Sequence, residues 1–192
     1  MNNYSIVASL KSTQRGMTFL EVLIALVIMV TGILGAVAMQ ITAKQGSFDA
    51  MQRSLASSLA QDIIARMRTQ TPSVNPDLAL REYIKSDYGE GKYIDDASIV
   101  DMIKNDRYEW ELALMGGNVT AGTVNVGGLI GGRGCIIAGV DVAGNIVKNA
   151  YTVVVSWQGR QKIKDSTKNG SCGALAAASG KSRQVVVQAF II

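Results

Sequence analysis

Histidine is absent from the 192 residues of this chain, which has only two cysteines and two prolines. The absence of histidine excludes Ser–His–Asp triads and every metal site that needs an imidazole ligand. The two cysteines, Cys135 and Cys172, are too far apart in sequence to indicate a zinc site. The acids between Asp77 and Glu111 alternate with bases, which is typical of a solvated surface rather than of paired catalytic carboxylates. We therefore expect a protein that is not an enzyme and uses no metal or cofactor.

Charge is unevenly distributed, although the net charge is only +4. Residues 1–16 carry +2 and residues 17–76 carry +1, whereas residues 77–115 carry −5 and residues 116–192 carry +6. Such alternation favours head-to-tail association between copies, or attraction of an anionic partner by the basic end. A soluble surface with unevenly placed charges is the simpler alternative.

A long uncharged run lies near the N-terminus. From Val22 to Met39 the only polar interruption is Thr31, and a helix of that length spans about 27 Å, close to the roughly 30 Å of a bilayer core. Lys11 and Arg15 precede the run, so the positive-inside rule predicts a cytoplasmic N-terminus and a single pass through the bacterial inner membrane. The run is too long for an ordinary signal peptide, and no A-x-A cleavage site follows it.

Glu21 stands at the edge of this run and needs an explanation. An isolated acid in a membrane helix costs about 2.5 kcal/mol or more, and no base lies within a turn on the apolar side. Cleavage after Gly16 would give Met17 a free α-amine. The new terminus of a neighbouring copy could then neutralise Glu21 inside a dry helix bundle.

The segment from Arg15 to Leu26, RGMTFLEVLIAL, resembles the type IV prepilin signal. In that family a prepilin peptidase cuts after the glycine and methylates the new amine. The resemblance implies that residues 1–16 are a leader ending at Gly16, that Met17 is the methylated terminus and that Glu21 is the assembly carboxylate. Met17 departs from the phenylalanine that is commoner in the family.

The apolar periodicity continues beyond the membrane and predicts one helix over residues 17–70, with the span at about 20–40. Asp62 and Arg66 are spaced for a helical ion pair. Gly32 and Gly35 weaken the middle of the helix, either to let it loosen in a filament or to allow close helix packing. Residues 53–68, RSLASSLAQDIIARMR, resemble the same helix in PilV-type minor pilins.

Residues 71–192 predict an α+β head, in which the long helix lies on an antiparallel sheet. Short helices are expected at Asp77–Tyr88 and from Asp96 to about Asn105, and the glycines between 116 and 134 predict a mobile loop region. Alternating apolar and polar residues predict strands at Tyr108–Leu114, Ile136–Val142, Asn145–Val147, Tyr151–Trp157 and Gln184–Ile192.

An even pair of cysteines in the exported part predicts one disulfide between Cys135 and Cys172, with two buried free thiols as the alternative. Resemblance to the pilins implies that this bond bounds an exposed loop near the C-terminus. We cannot assign a ligand to that loop from its residues.

The resemblance implies a minor pilin that is processed by prepilin peptidase. Its implied partners are the other minor and major pilins, the inner-membrane assembly platform and membrane lipid, and its final location is the pilus or cell surface, with roles in adhesion and twitching motility. A type II secretion pseudopilin is one alternative. A DNA-binding pilin is another alternative, in which basic residues of the C-terminal part would contact phosphates: Arg160, Lys162, Lys164, Lys168, Lys181 and Arg183. However, no aromatic residues interleave with them to stack on bases. An anchored periplasmic enzyme is the remaining class.

Overall fold

The computed structural model describes residues 16–70, 76–96, 101–117, 119–162 and 180–191. The chain divides into two compact units at Lys44 and Gln45. The helices are α1 (Phe19–Thr69), α2 (Pro76–Arg81) and α3 (Met102–Met115), with one 3-10 turn at Ile94–Asp96. The strands are β1 (Thr120–Ala121), β2 (Val124–Asn125), β3 (Arg133–Val140), β4 (Ile146–Gln158) and β5 (Ser182–Phe190).

The first unit contributes the N-terminal part of α1. The residues from Phe19 to Lys44 are all exposed. An 18-residue window of this helix has a mean hydropathy of 2.7, and none of that window is buried. By length and composition this helix is able to cross a membrane. The polar interruption at Thr31 is satisfied within the helix, because its hydroxyl donates to the carbonyl oxygens of Val27 and Ile28 at 2.9 and 3.0 Å.

The helix is continuous through Gly32 and Gly35 and ends at Thr69, close to the predicted end. An added Cβ would meet nothing within 4 Å at either glycine. Neither explanation of the two glycines is tested by this geometry. Both therefore stay predictions.

The second unit, which we call the head, has its main core between the C-terminal part of α1 and a sheet. The buried face of α1 includes Ala56, Ile63 and Met67, which join one apolar cluster with residues of β4 and α3. Trp110 on α3 completes the layer: its indole N–H donates to the carbonyl oxygen of Leu59 at 2.9 Å. The α+β class, with a long helix packed on an antiparallel sheet, is thus confirmed.

The sheet has three antiparallel strands in the order β3-β4-β5. Its register places Ile136 opposite Val153 and Val153 opposite Val187. Alternate residues of β4 point to α1, so Val153, Val155 and Trp157 are buried in the core. The strands predicted at Ile136–Val142 and Gln184–Ile192 correspond to β3 and β5 with shifted ends, whereas the two predicted at Asn145–Val147 and Tyr151–Trp157 are one strand, β4.

The predicted strand at Tyr108–Leu114 is wrong, because these residues belong to α3. The buried positions on α3 follow a helical period: Trp110 and Leu114 are four residues apart and lie on one face. Apolar residues at that spacing satisfy period 2 and period 3.6 equally. The ends of the segment decide between them, because the Asp101 side chain accepts the N–H of Lys104 at the N-cap, and Gly116 ends the helix at φ 75°.

Three other predictions about the head need correction. The helix expected at Asp77–Tyr88 ends at Arg81. The helix expected to start at Asp96 begins instead at Met102, since the aspartate that caps it is Asp101. The glycine-rich region contains the exposed β1–β2 hairpin, and glycines on either side of it allow close backbone approach: a Cβ on Gly128 would fall 2.4 Å from the nitrogen of Gly116.

Candidate assembly site

The first turn of α1 is held by a side-chain cap. Thr18 precedes the helix, and its Oγ1 accepts the N–H of Glu21 at 3.3 Å, while its carbonyl oxygen accepts the N–H groups of Glu21 and Val22 at 3.0 and 3.3 Å. A threonine followed three residues later by glutamate has the sequence of a capping box. The chain is therefore organised as a helix only two residues beyond the predicted cleavage site between Gly16 and Met17.

Glu21 is the acidic residue of this first turn. A carboxylate there is favoured by the positive end of the helix dipole, which offsets part of the cost of an acid beside lipid. The neighbours of Glu21 are apolar and exposed, with Phe19 at 80% and Leu20 at 66% exposure. The site is therefore one carboxylate at the tip of an uncovered apolar helix.

This arrangement of a carboxylate among apolar side chains favours association with a second helix. An amine brought to Glu21 by a second helix would form an ion pair shielded from water by the surrounding apolar side chains. Removing one partner from such a pair would leave an uncompensated charge at a cost of about 3–5 kcal/mol. Correct axial register between two helices would thus be favoured over other registers.

In the head, the predicted ion pair between Asp62 and Arg66 is present at 3.0 Å. Arg66 also bonds two carboxylates of α3, Asp106 at 3.2 Å and Glu109 at 3.4 Å. Burial acts to lower the pKa of Arg66, but the bonds to Asp62 and Asp106 outweigh burial and raise it. The pair is therefore part of a network that fastens α1 to α3.

Asp106 connects this network to the core. The Tyr83 hydroxyl donates to its Oδ2 at 2.5 Å. Burial, together with this bond, raises the pKa of Tyr83. The sequence gives no signal for the contact, because Tyr83 and Asp106 are separated by 23 residues.

Glu111 is a further buried acid, and the prediction that the acids from Asp77 to Glu111 lie on a solvated surface is wrong for it. It is 0% exposed, and its carboxylate accepts backbone N–H groups from Gly89 at 2.6 Å, from Gly91, and from Lys92 at 3.1 Å. Gly89 and Gly91 have φ of 89° and 79°, a backbone conformation that glycine adopts without strain. The carboxylate thus fixes the loop between α2 and α3.

Cys135 lies on β3 and is 1% exposed, with its Sγ 3.2 Å from the carbonyl oxygen of Ser86. There is no free cysteine in the part of the chain that the structure describes. Cys172 lies outside the described residues, as does most of the predicted loop around it. The disulfide between Cys135 and Cys172 therefore stays a prediction.

Comparison with protein families supports the N-terminal site. Residues 11–37 match the family described as Prokaryotic N-terminal methylation motif. The matched range contains Gly16, Met17 and Glu21 and most of the apolar run. The chain thus carries a prepilin-type signal of the kind found on type IV pilins and pseudopilins, and this motif implies processing by prepilin peptidase and anchoring in a membrane. No curated protein and no solved structure matches the chain.

Proposed function

We propose that this chain is a minor pilin of a type IV pilus, cleaved between Gly16 and Met17, methylated at Met17 and assembled with other pilins. The observation that carries the proposal is the placement of Glu21 in a capped first turn, at the tip of an exposed apolar helix, within a methylation motif. The role is structural, since assembly buries the helix and exposes the head.

The mechanism follows from the polarity of this tip. In the membrane, the apolar surface of α1 is covered by lipid. On assembly, the amine of Met17 in one subunit pairs with Glu21 in a neighbour, and apolar side chains of the two helices bury one another. The heads then form the outer surface of the fibre.

Glu21→Gln and Glu21→Asp test this mechanism in the full chain. The glutamine removes the charge at nearly constant shape, so the variant is expected to be cleaved normally, to remain in the membrane and to be depleted from sheared filaments. The aspartate keeps the charge on a shorter side chain and should partly restore entry. Asp49→Asn removes a charge farther along α1 and is the matched control.

One outcome would count against the proposal, and another would invalidate the assay. Normal amounts of Glu21→Gln in filaments would show that the carboxylate has no part in assembly. Equal loss of the Asp49→Asn control would show that the assay reports general damage to α1. A zero-length crosslink between residue 17 and Glu21 of different subunits gives an independent measurement of the pairing.

A pseudopilin of type II secretion is the second candidate, because residues 11–37 serve either system. The RMR stretch at residues 66–68 and the predicted disulfide favour the pilus. Recovery of the mature chain with pilus fibres would support the first candidate. A loss of protein secretion on deletion of the chain, with pili intact, would support the second.

A further inference from the structure

The loop that follows β4 contacts the first residues of the head. Gln161 donates from Nε2 to Oε1 of Gln45 at 2.9 Å, and the Arg160 guanidinium lies 4.5 Å from the ring centroid of Phe48. Gln45 is the first residue of the head and follows Met39, the last residue of the uncharged run, by six residues. Six residues span at most about 22 Å when fully extended, and they span about 9 Å along a helix.

Basic residues gather around this loop. Arg160 and Lys162 are exposed. The start of β5 adds two more, because the Gly159 N–H donates to the carbonyl oxygen of Lys181 at 2.8 Å and the Arg183 guanidinium donates to the carbonyl oxygen of Gln161 at 3.1 Å. We call these four basic residues the basic junction: Arg160, Lys162, Lys181 and Arg183.

Two members of the basic junction, Arg160 and Arg183, are held by groups that carry no net charge. These groups are an aromatic ring and a carbonyl oxygen. The nearest acid on the adjoining turn of α1 is Asp49, which is half-buried. Gln45, which the loop contacts, lies about 9 Å beyond the end of the apolar run along α1, so the positive surface lies near that end of the run.

We propose that the basic junction binds the headgroups of anionic phospholipids in the leaflet from which the head emerges. Polybasic segments beside a membrane anchor are attracted to anionic lipid by about 1 kcal/mol for each Lys or Arg near the surface, and the attraction fades within a Debye length. Gln45, which the loop contacts, lies about 9 Å beyond Met39 by helical rise, comparable with a Debye length of about 10 Å at 0.1 M salt. Nucleic acid is a less suitable ligand than anionic lipid, because Arg160 already covers the ring of Phe48, which therefore does not offer a face on which bases could stack.

This proposal rests on the membrane anchor alone and is independent of filament assembly. The test uses the full chain in neutral detergent micelles, with phosphatidylglycerol or phosphatidylcholine added and bound lipid counted by native mass spectrometry. Wild type should prefer phosphatidylglycerol. Arg160→Gln/Lys162→Gln should weaken its binding about 30-fold at low salt, which is ~2 kcal/mol at 1.4 kcal/mol per tenfold.

Two control variants separate charge from folding. Arg81→Gln/Lys148→Gln removes the same charge from a groove at the far end of β4, about 33 Å from Gln158 by strand rise, and should bind like wild type. Arg160→Lys/Lys162→Arg keeps the charge and should also bind like wild type. Unchanged lipid preference in the double glutamine variant, or equal weakening in the far-end control, would overturn the proposal.

Competitors identify the source of the phosphate. Inorganic phosphate at millimolar concentration should leave phosphatidylglycerol bound, and displacement would show a pocket for free phosphate in place of a lipid surface. A short DNA duplex should bind less well than the lipid. Tighter binding of the duplex, with the same sensitivity to Arg160→Gln/Lys162→Gln, would reassign the basic junction to nucleic acid.

Discussion

Replacing Glu111 with glutamine tests whether one buried carboxylate stabilises the head. Glutamine has nearly the same shape, but it offers one acceptor oxygen and one NH2 group where the carboxylate offers two acceptors. The amide oxygen can still accept from Gly91 and Lys92, which bond the same Oε1. The NH2 group then faces the N–H of Gly89, which is buried and has lost its acceptor.

The cost follows from those contacts. A buried donor without a partner costs about 1–3 kcal/mol, and hydrogen bonds to charged groups contribute about 1.5–3 kcal/mol each. We therefore expect Glu111→Gln to lower the free energy of unfolding by about 3 kcal/mol, against a typical total of roughly 5–15 kcal/mol. For a head of this size each kcal/mol shifts Tm by about 2–4 °C, so Tm should fall by about 9 °C.

Thermal unfolding of the full chain in detergent, followed by near-UV circular dichroism, measures the effect. The matched control is Glu109→Gln, which lies two residues away on α3, is about half exposed and reaches Arg66 at 3.4 Å. It should change Tm by less than about 3 °C, because exposed ion pairs contribute little. If Glu111→Gln melts with this control, the backbone contacts of Glu111 do not stabilise the head and the reasoning fails.

Three further changes test other parts of the head. Arg66→Gln removes the bonds to carboxylates of α1 and α3 and should cost about 1–2 kcal/mol in chemical denaturation, while the exposed Arg53→Gln should be neutral. Raising the pH above about 10 should destabilise the head, because burial raises the pKa of Tyr83. The stability that this shift provides is fully present below the pKa of Tyr83 in the unfolded chain, and it is lost as the pH rises through the pKa in the folded chain. The phenolate absorbance of Tyr83, taken as the difference between wild type and Tyr83→Phe, should therefore rise together with unfolding, and an earlier rise of this difference would contradict the prediction. Cys135→Ser/Cys172→Ser should cost about 4 kcal/mol if the disulfide forms, and an intact mass showing two free thiols in wild type would refute the bond.

The long helix α1 could be predicted from sequence because its signals are local. The uncharged run from Val22 to Met39 indicates a helix long enough to cross a membrane, and the i, i+4 spacing of Asp62 and Arg66 places both on one helix face. The end of the helix was predicted to within a residue or two because Pro72 interrupts the pattern.

The helix α3 could not be predicted in the same way. The alternation at Tyr108–Leu114 indicated a strand. Asp101 and Gly116 cap this segment as a helix, but they can be identified as caps only once the ends of the helix are known. The partners of Glu111 and Trp110 lie at least 19 and 51 residues away. Contacts at such separations depend on the whole fold, so no single-residue pattern reveals them.

Intact mass and N-terminal analysis of the protein, isolated from membranes with and without an active prepilin peptidase, test the central claim most directly. The account predicts a mature chain that begins at methylated Met17 when the peptidase is present, and an uncut chain when it is absent. An uncut N-terminus in both samples would contradict it and would leave α1 as a simple membrane anchor.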